Sequence, residues 1–213
     1  GAQSVSLPLP PFTLIGATTR AGLLTRPLRD RFQIQFNMDF YEPAELAQIV
    51  IRSAVRLQVP LDKAAAIEIA KRSRGTPRVA NRLLRRSRDF AQVEGDGAIT
   101  LDIAQMALNR LGIDESGLDE MDRRILHTVA YKFDCGPVGI DNLSTAIGEE
   151  KDTIEDVFEP YLIMKGFIQR TRQGRILTQR GKAHIGIKTS AGPLFDVSLP
   201  SNTMKNEDED SDT

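Results

Sequence analysis

The stretch GFIQRTRQGRILTQ, residues Gly166–Gln179, decides the fold of the second half of this chain. Two β-like runs, FIQRT and RILTQ, flank a short RQG segment whose glycine favours a hairpin turn. Three amphipathic helical segments precede it at 118–133, 140–148 and 149–166, and Pro160 should kink or split the third. The order helix, helix, helix, hairpin predicts a winged helix over residues 114–187.

A helical pattern fills the region before this module. Four segments with helical spacing of apolar residues follow one another at 42–58, 61–75, 76–92 and 99–112. Gly75 is expected to end the second helix, Thr76 to cap the third, and Thr100 to cap the fourth. We therefore predict a small all-α domain over 42–113, joined to the winged helix by a linker, LGIDESG, at 111–117.

The beginning of the chain has a different pattern. FTLIGAT at 12–18 is typical of a buried parallel strand, and FQIQFNMDF at 32–40 is also β-like. Thr18 and Thr19 come at the carboxyl end of the first run, where α/β sheets bind ligands, although strand-end threonines also occur without function. Between the two runs lies TRPLRDRF, a loop with three arginines that a surface position alone could explain.

Composition excludes several classes of protein. The 213 residues are 40% hydrophobic and 27% charged, as in globular proteins, and contain no apolar run of transmembrane length. One Cys rules out an internal disulfide framework and suits the cytoplasm, and one Cys with two His argues against a metal site. We interpret Cys135, His127 and His184 as structural residues. Because the chain starts with Gly, close to a core-like strand, we interpret it as the C-terminal part of a longer protein.

The net charge of −1 hides two basic blocks and an acidic tail. Residues 71–88 and 160–195 contain many Lys and Arg and no Asp or Glu, whereas the end of the chain is rich in acids. The polar, aperiodic tail over 188–213 is predicted to be disordered.

The second basic block places Arg170, Arg172 and Arg175 at the hairpin tip, with further cations beside it at Lys165, Arg180 and Lys182. Guanidinium groups bind phosphate oxygens, so this tip is a candidate DNA contact, although a solvated basic loop has the same composition. The winged-helix order favours DNA.

The helix expected to enter the major groove is acidic. Its acids are Glu149, Glu150, Asp152, Glu155, Asp156 and Glu159. They should repel the DNA backbone, so the wing is expected to make the main contact and binding to be largely independent of sequence. Lys151 at the helix start is a further candidate phosphate contact, or else a solvated lysine.

The pentapeptide RGTPR places Arg78 in the first turn of a helix, where the free N–H groups also attract anions. This arrangement suits a phosphate sensor, but the pentapeptide alone favours the simpler interpretation, a surface arginine on a basic helix.

Together and in this order, LIGATTRAGLLTRPLRDRF, RGTPRVANRLL and GPVGIDNLSTAIGEEKDTIEDVFEPYLIMKGFIQRT resemble the RuvB-type Holliday-junction branch-migration motors, which are AAA+ ATPases. The resemblance covers residues from about Leu7 to Gly186. It implies a mostly α fold: the end of the large α/β ATPase domain at 1–41 with one remnant core strand, a four-helix lid at 42–113, and a winged helix at 114–187.

The resemblance also implies roles for single residues. Thr19 matches the sensor 1 position, and Arg31 matches the arginine finger that reaches the neighbouring subunit's nucleotide. Tyr41 matches a nucleotide contact at the hinge, and Arg78 matches sensor 2. In TRPLRDRF, Arg29 is the second candidate for the finger, and Arg26 is expected to be solvated.

In the wing, Arg170 and Arg175 match the family's DNA contacts, and Arg172 lies between them. Three positions depart from the family pattern. Gln33 replaces a common Gly after the finger and puts the finger's reach in question, Gln173 lies in a modified wing tip, and Cys135 stands where Gly is common.

The sequence contains no GxxxxGK[ST] motif, so nothing in it cradles nucleotide phosphates or holds Mg²⁺. We predict that this chain alone binds no ATP or ADP and hydrolyses none. For the full-length protein the resemblance implies ATP with Mg²⁺, a homo-hexamer on duplex DNA, Holliday junctions as substrate in recombination and repair, and a RuvA-type partner. The alternatives are a winged-helix regulator, a clamp-loader-type subunit and a degenerate remnant of the motor.

Overall fold

The computed structural model describes residues 10–18 and 21–187. Contacts divide the chain into two compact units, one ending at Asp39 and the other beginning at Phe40. Thr19, the predicted sensor 1 residue, and the predicted disordered tail lie outside the described residues.

The first unit contains a 3-10 turn, Ala21–Leu23, and one short helix, α1, Arg26–Arg31. The two strands predicted at 12–18 and 32–40 are absent from the described residues, so these predictions are wrong for the chain as it stands. A strand exists only through hydrogen bonds to a neighbouring strand, and the described residues provide none here. The apolar side chains of these runs are exposed: Phe12, Leu14, Ile15, Ile34, Phe36 and Met38.

The predicted four helices are present in the second unit as α2 (Pro43–Arg56), α3 (Lys63–Lys71), α4 (Pro77–Glu94) and α5 (Leu101–Arg110). Glu42 and Glu45 form a capping box at the start of α2. The Thr100 side chain accepts a hydrogen bond from the amide of Ile103, which confirms the predicted cap of α5. Thr76 precedes α4 but makes no side-chain cap, and its hydroxyl donates to the carbonyl of Arg74 at 3.1 Å.

The four helices enclose a single apolar core. Leu46, Ile69, Leu84 and Leu108 are among its fully buried side chains. Helix α3 ends at Lys71, earlier than the expected Gly75, because residues 72–76 form a tight turn in which Arg74 and Gly75 have positive φ. The loops at the other end are tied together by a parallel bridge between Leu61 and Ile99.

The winged-helix order predicted from the sequence is confirmed. Helices α6 (Glu120–Lys132) and α7 (Ile140–Ile147) are followed by α8 (Lys151–Thr153), a π-helical turn (Ile154–Phe158), α9 (Glu159–Met164) and the strands β1 (Ile168–Thr171) and β2 (Gly174–Leu177). Pro160 lies in the first turn of α9, and directly before α9 the third helix changes to a π-helical turn instead of breaking, so helical residues run without a gap from 151 to 164. The sequence reading missed α10 (Gln179–His184), whose N-cap Thr178 accepts from the amide of Gly181.

The hairpin is antiparallel and pairs Arg170 with Arg175 and Thr171 with Gly174. Arg175 also pairs with Val138, which makes the loop after α6 a third partner of the wing. Gly174 has φ 136°, and a Cβ there would lie 2.3 Å from the carbonyl oxygen of Val138. Only glycine fits this position, because both the backbone angle and the contact exclude a side chain.

The segment at 111–117 is not the free linker that the sequence suggested. Ile113 and Gly117 are buried within it, and the Asp114 carboxylate accepts hydrogen bonds from the amides of Ser116 and Leu118. Its composition resembles a linker because turns and linkers use the same polar and glycine residues.

Candidate nucleic-acid and nucleotide surfaces

The three wing arginines differ in their surroundings. Arg172 lies in the two-residue turn between β1 and β2 and is exposed. It forms no ion pair with the described residues. Arg170 and Arg175 face each other across the hairpin, one pair before the turn, and both reach the acidic residues of the π-helical turn and α9. The tip therefore presents Arg172, which has no ion-pair partner in the part of the chain that the structure describes, and behind it two paired cations.

Arg175 is only 6% exposed. Its Nε and Nη2 donate to the two carboxylate oxygens of Glu159, each at 2.9 Å, and its Nη2 also donates to Glu155 at 2.6 Å. Burial lowers the pKa of Arg175, but the hydrogen bonds and charges of Glu159 and Glu155 outweigh it and raise that pKa. This fork joins the hairpin to α9 and leaves the guanidinium little freedom to bind phosphate.

Arg170 is the more accessible of the pair, with about half of its side chain exposed. It forms an ion pair with Glu155 and lies 3.3 Å from Glu159. Two of the acids that were expected to repel DNA are thus neutralised by the wing itself. The prediction that all acids of this helix repel DNA is therefore wrong for Glu155 and Glu159, which pair with Arg170 and Arg175. The number of charges can be read from the sequence, but their pairing cannot.

Two further cations of this module have partners outside the hairpin turn. The predicted contact Lys151 forms an ion pair with Asp141, with both side chains more than half exposed. Arg180, on the unpredicted α10, is exposed and its guanidinium lies 5.3 Å from the ring centre of Phe167.

At one end of the lid the structure brings together two of the residues proposed to contact nucleotide. Arg78 is the second residue of α4 and is exposed. The amide of Tyr41 donates to the carbonyl of Gly75 at 2.9 Å, so the start of the lid lies against the turn that leads into α4. Tyr41 itself is 39% exposed, which leaves its ring accessible.

Arg31 belongs to the first unit, where it is the last residue of α1 and is exposed. Arg29, the second candidate for the finger, donates to the carbonyl of Leu24 at 3.4 Å. Arg26 is exposed at the first position of the helix.

The residues interpreted as structural have local partners. His127 stacks on Tyr131, and His184 contacts the Asp114 carboxylate at 2.9 Å. The carbonyl of Cys135 accepts from the amide of Leu177 in β2. His127 and His184 line one pocket together with Asp114, and Cys135 is not among the residues that line it.

Among the described residues, no helix is both long and apolar enough to cross a membrane.

Three family models match successive parts of the chain. The Holliday junction DNA helicase RuvB P-loop domain matches residues 1–38, the RuvB AAA lid domain 41–114, and the RuvB C-terminal winged helix domain 115–186.

The chain is 60% identical over 179 residues to the Holliday junction branch migration complex subunit RuvB of Myxococcus xanthus, a match that covers 84% of this chain and 52% of that protein. The solved Holliday junction branch migration motor RuvB of Thermotoga maritima is 48% identical with a TM-score of 0.79, covering 84% of this chain and 60% of the other. A mutant of the same protein gives 47% identity and a TM-score of 0.80 over the same shares. This chain thus spans about half the length of the Myxococcus relative, and it belongs to the RuvB family of AAA+ Holliday-junction branch-migration motors.

Proposed function

We propose that this chain is part of an ATP-dependent motor that moves Holliday junctions along duplex DNA in recombination and repair. Within it, residues up to 41 would end the ATPase domain, 42–113 would form the lid and 114–187 the DNA-binding module. The observation that carries the DNA-binding part is the wing, which holds at its tip an exposed Arg172 without an ion pair to any described residue and, behind it, a half-exposed Arg170.

The wing would bind the sugar-phosphate backbone rather than base edges. Arg172 can form charge-assisted hydrogen bonds to phosphate at no cost in broken protein contacts. Arg170 would exchange its Glu155 contact for a phosphate, and Arg175 would support the hairpin from behind. Lys151 would add a contact only by leaving Asp141.

Salt-dependent binding to a duplex and to a four-way junction tests this proposal. Replacing Arg172 by Ala should weaken binding to every DNA sequence and lower the salt slope by about one. Arg170→Ala should have a smaller effect on the slope, since Glu155 already neutralises part of this charge. The double variant Arg170→Ala with Arg175→Ala would mix two effects, because it also leaves the buried Glu159 carboxylate without these two partners.

Arg86→Ala is the matched control. It removes one cation from the lid, and 62% of the Arg86 side chain is exposed. It should leave the slope unchanged. An Arg172→Ala variant with the wild-type slope would overturn the wing contact. Binding that discriminates strongly between unrelated duplexes would instead favour the winged-helix regulator.

We propose further that Arg78 and Tyr41 contact a nucleotide in their own subunit and that Arg31 and Thr19 act as arginine finger and sensor 1. When bound, ATP with Mg²⁺ would supply the phosphoryl group that is transferred to water. The support from this chain is the exposure of Arg78 at the start of α4 and the position of Tyr41 beside the turn that precedes it.

A sequence without the phosphate-binding motif should not hydrolyse ATP by itself. The purified chain is expected to release no phosphate above the background of an Arg31→Ala, Arg78→Ala double variant prepared in parallel. ATP turnover by the wild-type chain that this double variant lacks would contradict the proposal.

The family resemblance suggests a six-membered ring of identical subunits, a RuvA-type partner that recognises the junction, and action in the cytoplasm, where the DNA is. A clamp-loader-type role is less well supported, since the winged module has no place in it.

A further inference from the structure

The lid and the winged helix meet at a joint built around Arg74. This residue lies in the turn between α3 and α4 and has φ 57°, a left-handed conformation that is rare for a residue with a side chain. A non-glycine residue persists there only when its surroundings compensate. The compensation at Arg74 comes from the winged helix.

The guanidinium of Arg74 contacts three side chains of that module. Its Nη2 donates to Asp122 Oδ1 and its Nη1 lies near Asp122 Oδ2, each at 3.1 Å, in a fork that fits the carboxylate plane. Asp119 lies 3.5 Å away, and the Tyr161 ring centre lies 4.5 Å from the guanidinium carbon. Asp122 is fully buried, so this is not a solvated surface pair.

A second set of contacts holds the backbone on either side. Arg72 is 4% exposed and donates to the carbonyl of Ile113 at 3.0 Å and to Asn109 at 2.9 Å. A Cβ on Gly117 would lie 2.9 Å from the carbonyl oxygen of Arg72, which shows how closely the connecting segment packs. The Tyr161 hydroxyl donates to the carbonyl of Ser116 at 2.7 Å.

The same turn borders the residues proposed to contact nucleotide. Arg78 lies four positions after Arg74 in the chain, and the Thr76 hydroxyl donates to the carbonyl of Arg74. On the other side, Tyr41 bonds to the carbonyl of Gly75. A displacement of this turn would therefore also move the Arg74 side chain, which contacts Asp122, Asp119 and Tyr161 of the winged helix.

We infer that Arg74 is a positioning residue that locks the lid and the winged helix into one rigid arm, so that lid movement at the nucleotide is carried undiminished to the DNA-binding wing. The transmission of lid movement to DNA rests on the proposed function. The rigidity of the connection between the lid and the winged helix rests only on the contacts of Arg74 described above. A buried ion pair contributes little net stability, but in some proteins it fixes one relative arrangement of the elements that it joins, and this is the role that we assign to Arg74 and Asp122.

Residual dipolar couplings of the isotope-labelled chain test the inference directly. In the wild-type protein, the couplings of the lid helices and of the winged helix should fit one common alignment tensor. Arg74→Met keeps the aliphatic stem and removes the fork, and should require two tensors, with a reduced magnitude for one module. Asp122→Asn should act in the same direction, since it removes the charge but can still accept the Asp119 amide.

Arg86→Met is the matched control, because Arg86 pairs only with Asp89 on its own helix among the described residues, and one tensor should suffice for it. Couplings that still fit within each module show that both remain folded in Arg74→Met. A single tensor with wild-type orientation in that variant would overturn the inference, as would two tensors in the wild type.

DNA binding separates this inference from the proposed function. Because the wing itself is intact, Arg74→Met should bind duplex DNA within about twofold of the wild type. Loss of binding in the variant alone would show that Arg74 acts on the DNA and not on the joint. A wild-type chain that binds no DNA would refute the proposed function and leave the alignment result to decide whether the arm is rigid.

Discussion

The two units of this chain use similar apolar residues with opposite results. None of the described residues before Phe40 is buried, and Phe36, for example, is 82% exposed. From Phe40 onward, helices and hairpin enclose two cores, in which Leu84 and Phe167 are almost completely buried. The difference shows that an apolar pattern specifies a face, and that the fold depends on whether a partner for that face lies within the same structure.

The largest expected difference in stability between the two units comes from substituting one glycine in each of them. Gly174→Ala should destabilise the winged helix by about 3–5 kcal/mol, because a Cβ would lie 2.3 Å from the carbonyl oxygen of Val138 at φ 136°. Gly22 in the first unit has nothing within 4 Å of such a Cβ, so Gly22→Ala should leave urea unfolding unchanged. An equal midpoint for both variants would contradict the described hairpin packing.

A pair of apolar truncations gives the next largest effect. Leu84→Ala removes a side chain with 0% exposure from the lid core and should cost about 2–5 kcal/mol in the free energy of unfolding. Phe36→Ala removes a larger side chain that is 82% exposed, and should cost nothing measurable in the same urea titration. A loss for Phe36→Ala comparable to that of Leu84→Ala would show that the first unit has a core of its own.

The same contrast explains which elements the sequence could predict. The lid helices and the hairpin were predictable because their apolar spacing and their turn glycine are satisfied by neighbours close in the chain. The strand at 12–18 was not, since its continuous apolar run assumes a parallel sheet that the described residues do not build. Helix α10 was missed because Thr178 and Gln179 continue the β-like run without a break.

The candidate surfaces divide in a similar way. Arg78 could be placed from sequence, since Pro77 fixes the first turn of its helix. The burial of Arg175 could not, because its partner Glu159 belongs to a different element and the spacing between them has no periodic signature. Arg74 gave no signal either, as its partners lie 45 or more residues further along the chain.

A pH dependence should arise from the second unit, where the carboxyl group of Asp122 is buried. Burial raises the pKa of Asp122 to about 6, although Arg74 acts to lower it. The native state then binds more protons than the unfolded state between pH 4 and pH 6, so this contribution to stability is present at low pH and lost as the pH rises through 6. Lowering the pH from 7 to 5 should add about 1 kcal/mol from this group.

Urea titrations of the wild type and of Asp122→Asn at both pH values measure this term. The difference between the two proteins should change with pH by that amount and in that direction. A difference that is the same at pH 5 and pH 7 would show that Arg74 keeps the carboxylate ionised throughout.

The smallest effect compares two threonines that occupy the same position before a helix. Thr100 accepts a hydrogen bond from the amide of Ile103, whereas Thr25 precedes α1 without a side-chain cap. Thr100→Ala should therefore cost about 1 kcal/mol in the free energy of unfolding, as expected for a lost N-cap, and Thr25→Ala should cost close to nothing. Both substitutions change the same atoms at the same place in a helix, so the difference between their urea midpoints isolates the cap. If Thr25→Ala proved as costly as Thr100→Ala, the first unit would contribute to the cooperative unfolding of the chain, and the contrast between the two units would not hold.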